Sequence, residues 1–216
     1  MTPTVGDPRQ RFKEDYLRVI RAGRFAARYG LEIEKETLEA AREAAPDVLS
    51  HVAIERVTAE LDKAFQNGMP GRFLRYLYDL GILQRLIPEF EDADLLLQNP
   101  RWHPEGDVLT HVLQVVDRAP VEVRWHALLH DIGKHDTAKW KSEGWYSFHG
   151  HETVGAELIP RIARDLRLPN DLRDELIITT RLHMVPAFTK PTPKAIRKFQ
   201  AEAGPHLHAL ELLCRA

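Results

Sequence analysis

A chain of 216 residues with 30 Lys and Arg against 32 Asp and Glu has almost no net charge, which excludes a global attraction to nucleic acid or membranes. The single Cys214 excludes an intrachain disulfide and is typical of a reducing compartment, and no apolar run approaches the roughly 18 residues of a membrane span. Residues 1–8 lack the basic-then-apolar pattern of a signal peptide. We therefore expect one large or two small domains in a cytoplasmic protein that does not bind membranes.

The first predicted helix covers residues 9–29 and ends at Gly30. Within it, Glu14 and Arg18 are spaced as an intrahelical ion pair. A basic stripe recurs every three or four residues along the same helix, formed by Arg18, Arg21, Arg24 and Arg28. The spacing alone fits a solvated helix face as well as a surface that contacts RNA phosphates, and both interpretations stay open.

Three further helices are predicted before the middle of the chain. One covers residues 35–45, a second follows Ser50 as its cap, and a third contains Phe73 and Leu77 and ends at Gly81. The turn signal Asn99-Pro100 is the predicted boundary between two parts, residues 1–99 and residues 100–216.

The second part also has helical periodicity. Its predicted helices cover residues 107–118, 121–131, 152–164, 170–183, 193–203 and 205–216, and residues 140–148 are predicted to be a loop. No series of strands and no repeat of fixed period is visible. The predicted fold class is therefore all-α.

The run Ala127-Leu128-Leu129-His130-Asp131-Ile132-Gly133-Lys134 is the strongest chemical signal. His130 and Asp131 are both good ligands for a divalent ion that prefers nitrogen and oxygen. Neighbours on a helix point about 100° apart, so other helices must supply the remaining ligands. Candidates for those ligands are His111, His149, His151 and His183. Gly133 is a plausible helix end, which would bring Lys134 close enough to the ion to meet a phosphate.

This ordered set of residues resembles the HD superfamily of metal-dependent phosphohydrolases. Residues 102–111, Trp-His-Pro-Glu-Gly-Asp-Val-Leu-Thr-His, more narrowly resemble the HD domain at the C-terminal end of bacterial tRNA nucleotidyltransferases, the CCA-adding enzymes. The resemblance extends over nearly the whole chain. It implies a helical RNA-binding neck and body over residues 1–99, followed by an HD domain over residues 100–216.

The resemblance also implies roles for individual residues. The implied metal ligands are His111, His130, Asp131, His151 and His183. Lys134 would bind the substrate phosphate and His149 could donate a proton to the leaving group. Mixed imidazole and carboxylate ligands suit Mn, Fe, Ni or Co, and Mg less well, with one or two ions.

In the first helix, Glu14-Asp15-Tyr16-Leu17-Arg18 matches the nucleotidyltransferase motif whose aspartate and arginine bond to the base of the incoming nucleotide. Asp15 and Arg18 would then read the base, and Glu14 would orient the arginine. Arg21, Arg24 and Arg28 would contact RNA phosphates.

Two departures from the family pattern set the functional expectation. The catalytic head would precede Val5, and the closing aspartate of the HD pattern is missing from residues 205–216, so we expect a headless protein with a truncated closing helix. Nucleotide addition by this chain alone is not expected. The leading hypothesis is a phosphatase or 2′,3′-cyclic phosphodiesterase acting on nucleotides or RNA ends. The alternative is a tRNA-binding module, or a subunit that works with a separate head in a split CCA- or A-adding enzyme, with no activity of its own.

Overall fold

The computed structural model describes residues 6–184 and 192–216, and helices are the predominant structure in them, which confirms the predicted all-α class. Residues 1–5, part of the segment in which no signal peptide is predicted, lie outside the described residues. The chain divides into two compact units, residues 1–88 with 165–167 and residues 89–164 with 168–216. Compact units and family domains are different divisions of a chain, so the domain boundary at residues 99 and 100 stays a prediction.

The first unit is built from amphipathic helices around an apolar core. They are α1 (Pro8–Glu14), α2 (Leu17–Tyr29), α3 (Lys35–Ala44), α4 (Val48–His51), α5 (Ile54–Gln66), α6 (Pro70–Asp79) and α7 (Ile82–Leu86). The fully buried side chains Phe12, Ile20, Leu61, Phe73 and Leu77 come from four of these helices. Burial of such side chains is the main force that holds short helices together.

The prediction of one continuous helix over residues 9–29 is wrong. The backbone of Asp15 is extended (φ −155°, ψ 100°), and its carboxylate accepts a hydrogen bond from the Leu17 amide at 3.2 Å. Aspartate side chains compete in this way with helical hydrogen bonds, so a second helix starts there. The predicted end at Gly30 is confirmed, because Gly30 is left-handed at φ +64°.

The predicted cap at Ser50 is also wrong. Ser50 lies inside α4, and its hydroxyl donates to the carbonyl of Asp47 at 2.9 Å. The next helix, α5, begins at Ile54 after Ala53, which makes no side-chain cap.

The second unit contains α8 (Val108–Arg118), α9 (Arg124–Leu129), α10 (Lys134–Thr137), α11 (His151–Asp165), α12 (Asn170–Leu182), α13 (Pro193–Ala203) and α14 (Leu207–Cys214). Helix α9 packs against α8 and α12. Every one of its residues from Trp125 to Leu129 is buried. The short helix α9 is thus a buried element of this unit.

Two predictions in this unit are corrected. The helix over residues 121–131 is a 3-10 turn at Val121–Val123 followed by α9, which ends at Leu129 before the His130-Asp131 pair. The loop over residues 140–148 contains an antiparallel hairpin, with β1 (Lys139–Trp140) paired to β2 (Tyr146–Ser147).

Among the described helices, none has both the length and the apolar character needed to cross a membrane.

Candidate metal centre

The side chain of Asp131 lies at the meeting point of four imidazoles. Its Oδ2 is 3.3 Å from Nε2 of His111 and 3.1 Å from Nε2 of His130. Its Oδ1 is 3.1 Å from Nε2 of His151 and 3.4 Å from Nε2 of His183. The carboxylate is therefore shared by two pairs of histidines, one pair at each oxygen.

The fold brings these five residues together from four helices. His111 lies in the middle of α8, His130 and Asp131 follow α9 directly, His151 begins α11 and His183 follows α12. All five of the predicted metal ligands thus lie in one cluster, and their role as ligands stays a prediction.

Each of the four imidazoles is oriented by a hydrogen bond on its other nitrogen. The acceptors of the Nδ1 hydrogens are Glu105 Oε1 for His111 (2.7 Å) and the carbonyls of Ala127 for His130 (2.9 Å), Phe148 for His151 (2.8 Å) and Thr180 for His183 (2.6 Å). A carbonyl oxygen can only accept, so the hydrogen lies on Nδ1 and Nε2 is the ring atom that faces Asp131.

This arrangement of nitrogen atoms fits a bound cation. The Nε2 atoms of His111 and His130 are 3.3 Å apart, and those of His151 and His183 are 3.2 Å apart. In the neutral form of the rings, the Nε2 lone pairs converge beside a carboxylate, and a cation between them would relieve their repulsion. Two overlapping groups could each hold an ion, His111-His130-Asp131 and Asp131-His151-His183, with Asp131 common to both. HD domains bind divalent metals, and this donor set of imidazole and carboxylate suits them.

The pKa directions of His130 and Asp131 agree with such a centre. Burial lowers the pKa of His130 to about 4, against the opposing effect of Asp131, so the ring is neutral at pH 7. Burial by itself would raise the pKa of Asp131, but the ammonium of Lys134, 2.6 Å from Oδ2, helps to hold it well below its usual value. Burial would lower the pKa of His151, yet the bond to Asp131 outweighs it and the net direction is upward.

Glu105 is part of this site and was not predicted. Its Oε1 accepts from Nδ1 of His111 at 2.7 Å and from Nδ1 of His103 at 2.9 Å. Burial works to raise the pKa of Glu105, but its hydrogen bonds outweigh that effect and lower it. The turn at Gly106 (φ +102°) folds Glu105 back over the start of α8. Only this glycine hints at the contact in the sequence.

Lys134 lies inside the site, 4% exposed. Its Nζ donates to Asp131 Oδ2 and to Gln98 Oε1, each at 2.6 Å. Gln98 was not predicted either, and it is itself buried. His149, in contrast, is exposed and belongs to none of the metal-binding groups found among the described residues. Phosphate binding by Lys134 and proton donation by His149 stay predictions.

The predicted base-reading residues lie at the junction of α1 and α2. Nη1 of Arg18 donates to Glu14 Oε2 at 2.8 Å and to the carbonyl of Arg11 at 2.9 Å. The hydrogen bond from Arg18 lowers the pKa of Glu14. The carboxylate of Asp15 accepts from the Leu17 amide at the start of α2, and its Oδ1 lies 3.7 Å from Nη2 of Arg56. Glu14 and Arg18 are thus paired with each other, and contact of the three residues with a nucleotide base stays a prediction.

The basic stripe on α2 is interrupted at Arg24. This residue is 7% exposed, its Nε donates to Glu60 Oε2 at 2.5 Å, and its guanidinium lies 4.2 Å from the centre of the Phe25 ring. Arg24 is therefore largely buried within the stripe, and its contact with RNA phosphates stays a prediction. Arg21 and Arg28 are exposed.

A basic groove of about 670 Å³ runs between α2 and α5 in the first unit. Its cationic lining residues are Arg21, Arg24, Arg28, Arg56 and Lys63. Arg56 and Lys63 come from α5 and were not predicted as RNA contacts. Both residues are exposed on α5, which is distant in sequence from α2. They line the same groove as the stripe only because α5 packs on α2.

Comparison with protein families gives two matches that follow one another along the chain. Residues 30–94 match the family described as the probable RNA and SrmB-binding site of polymerase A. Residues 104–213, just over half of the chain, match the HD domain. This pair corresponds to the neck, body and HD region found toward the C-terminal end of CCA-adding and poly(A)-polymerase-like proteins, as the sequence predicts. With four histidines of the HD pattern gathered around Asp131 and a match over more than half of its length, the chain belongs to the HD domain family.

Proposed function

We propose that this protein is a divalent-metal-dependent phosphohydrolase, of the phosphatase or 2′,3′-cyclic phosphodiesterase type, that acts on nucleotides or RNA ends. The observation that carries the proposal is the carboxylate of Asp131, which meets two imidazole Nε2 atoms at each of its oxygens, at 3.1–3.4 Å. Membership of the HD domain family supports a phosphohydrolase, and the matched RNA-binding family supports a substrate that carries nucleotides.

The residues around Asp131 would have different roles in such a site. Asp131 and the four histidines would hold one or two divalent ions, which when bound supply polarisation of the phosphoryl group and activation of water. Glu105 fixes the ring of His111, and Gln98 holds the ammonium of Lys134 beside Asp131. Because Asp131 and Lys134 are almost fully buried, their charges act at low dielectric and are weakly screened.

Hydrolysis of a cyclic phosphodiester forms a new bond between a water oxygen and phosphorus and breaks one bond from phosphorus to a ribose oxygen. The leaving oxygen then takes up a proton. The ammonium of Lys134 would stabilise negative charge on the phosphoryl oxygens, and the exposed His149 would supply the proton to the leaving oxygen.

The test is hydrolysis of 2′,3′-cyclic AMP by the purified chain with Mn or Ni added, together with metal stoichiometry by calorimetry. Turnover that needs the metal and disappears in Asp131→Asn is the expected result. Asp136→Asn makes the same chemical change on an exposed carboxylate five residues away and should leave both readouts unchanged. A folded wild-type chain without stoichiometric metal binding, or equal turnover in Asp131→Asn, would reject the proposal.

A second candidate function is RNA binding by the first unit without chemistry, as a tRNA-binding module or as a subunit of a split CCA- or A-adding enzyme. The basic groove between α2 and α5 is the observation that favours it. Arg21→Gln with Arg28→Gln should weaken tRNA binding and reduce the slope of log K against log salt by about 2, since each phosphate contact contributes about 0.9. Lys35→Gln, on an exposed lysine outside the groove, is the matched control.

A further inference from the structure

Two tryptophans of the second unit are exposed beside basic side chains. Trp102 is 69% exposed and Trp140 is 58% exposed. The guanidinium of Arg101 lies 5.0 Å from the centre of the Trp102 ring, and Trp140 stands between Lys139 and Lys141 in the chain. Exposed aromatic rings alternating with basic residues are typical of surfaces that bind single-stranded nucleic acid.

A chain of ring contacts leads from Trp140 to the metal centre. The ring centres of Trp140 and Tyr146 are 4.9 Å apart, and those of Tyr146 and Phe148 are 6.4 Å apart. Nζ of Lys134 is 5.5 Å from the centre of the Phe148 ring and 2.6 Å from Oδ2 of Asp131. The exposed indole is therefore connected to the candidate metal centre through one continuous set of side chains.

The hairpin holds Trp140 in a defined position. The Lys141 amide donates to the carbonyl of Trp145 at 2.8 Å, and the Tyr146 amide donates to the carbonyl of Leu97 at 2.8 Å. The hydroxyl of Ser147 donates to the carbonyl of Lys139 at 3.3 Å. A ring fixed in advance loses little conformational entropy when a base stacks on it, which favours binding.

We propose that Trp140 is a stacking platform for a nucleobase of the substrate, flanked by Lys139 and Lys141 as partners for the RNA phosphates. The inference rests on the proposed phosphohydrolase and narrows its substrate class to the ends of single-stranded RNA, in preference to phosphoesters without a base. Stacking accepts any base, so the platform favours single-stranded nucleic acid without selecting its sequence. The positive charge beside the ring favours a nucleic acid over an apolar protein segment as the ligand.

The kinetic test compares two cyclic phosphates, an RNA trinucleotide that ends in a 2′,3′-cyclic phosphate and glycerol 1,2-cyclic phosphate, which has no base. Trp140→Ala should lower kcat/KM about tenfold for the trinucleotide, mainly through KM, and leave glycerol 1,2-cyclic phosphate unchanged. Trp140→Phe should retain most of the activity because a flat ring remains. Glu143→Ala, in the turn of the same hairpin, should leave both substrates unaffected. Equal losses on both substrates in Trp140→Ala, or no loss on either, would overturn the proposal.

A binding measurement separates this proposal from the phosphohydrolase itself. If the wild-type chain hydrolyses neither substrate, the proposed activity fails, and stacking is then judged with a trinucleotide that contains 2-aminopurine. Quenching of its fluorescence by the wild-type chain, and loss of that quenching in Trp140→Ala, would support the platform. Absence of quenching, or equal quenching by the variant, would reject it. An abasic oligomer of the same charge, bound equally by both proteins, is the control for the lysines.

Discussion

At the scale of single residues, the partners of the four histidines around Asp131 differ in kind. Three of the rings donate to backbone carbonyls, of Ala127, Phe148 and Thr180, which substitution cannot remove. The ring of His111 donates instead to the side chain of Glu105. A single substitution can therefore test how far such orientation determines metal affinity.

Glu105→Gln is expected to weaken binding of Mn or Ni about tenfold, because partners of this kind contribute roughly 10–100-fold to metal affinity and the amide keeps only part of the interaction. The measurement is a competition titration against a chelator of known affinity. Glu143→Gln is the matched control on an exposed glutamate of the same unit. Unchanged affinity in Glu105→Gln would show that packing alone positions His111.

The buried pair of Arg24 and Glu60 gives a second prediction at this scale. Arg24→Met removes the guanidinium that bonds to Glu60 at 2.5 Å and leaves a carboxylate that is almost fully buried, with Lys63 as its other partner at 2.9 Å. We expect a loss of about 1.5–3 kcal/mol in the free energy of unfolding, measured by urea titration. Arg28→Met, on an exposed arginine of the same helix, should change it by less than about 0.5 kcal/mol. Equal effects of the two variants would contradict the assignment of Arg24 to the core.

At the scale of elements, the turn between α9 and α10 packs against the start of α11. Gly133 was expected to end a helix, but α9 ends at Leu129 and Gly133 directly precedes α10, with a φ of −76° that any residue can adopt. The glycine is needed for a different reason. A Cβ at this position would lie 2.2 Å from the carbonyl oxygen of His151 and 2.5 Å from the amide of Gly155. The close approach of two backbones brings His151 to Asp131.

Gly133→Ala should therefore damage the metal centre more than Gly155→Ala. A Cβ at Gly155 meets the Thr180 methyl at 2.9 Å, and a side chain can move aside more easily than backbone. We expect Gly133→Ala to reduce metal affinity at least tenfold and to lower Tm, and Gly155→Ala to have the smaller effect on both. The two quantities are measured by metal titration and thermal unfolding. The reverse order would mean that the turn tolerates displacement of α11.

At the scale of the whole molecule, a metal ion that binds only the folded state adds to stability by mass action. At a free concentration 100 times Kd, this amounts to about 2.7 kcal/mol. All four tryptophans, Trp102, Trp125, Trp140 and Trp145, lie in the second unit, so their fluorescence reports on the unit that contains Asp131. We expect Mn or Ni to raise the Tm seen by fluorescence, and a chelator or Asp131→Asn to abolish the increase. A shift of the same size in Asp131→Asn would place the bound ion elsewhere.

Acid should destabilise the first unit through Glu60. Burial favours a higher pKa for Glu60, but hydrogen bonds from Lys63 and Arg24, together with their charges, outweigh it and lower the pKa. A carboxyl with a depressed folded pKa adds stability above its unfolded pKa of about 4.3, and that stability is lost as pH falls through the folded value. The difference in unfolding free energy between wild type and Glu60→Gln should therefore shrink from pH 7 to pH 3. A difference that stays constant would exclude this linkage.

The sequence by itself determined the all-α class, the order of most helices and the identity of the HD family. Helical periodicity, the turn residues Gly30 and Gly81, and the order of the histidines are local patterns. They can be recognised in the sequence without knowledge of the fold. The same reasoning failed at Asp15, where a side chain competes with the helix for backbone hydrogen bonds. It failed again at residues 140–148, because a hairpin with strands of two residues has no detectable period.

Only the tertiary structure decided which side chains face one another. Glu105 and Gln98 belong to the site because the fold brings Glu105 to His111 and Gln98 to Lys134. Arg24 is largely buried, unlike Arg21 and Arg28, because α5 presents Glu60 to it. The relative positions of the residues in each of these contacts depend on how several helices and loops pack together. The spacing of residues shows which of them share one face of a helix. Which other element packs against that face is decided by burial of the apolar surface of the whole unit.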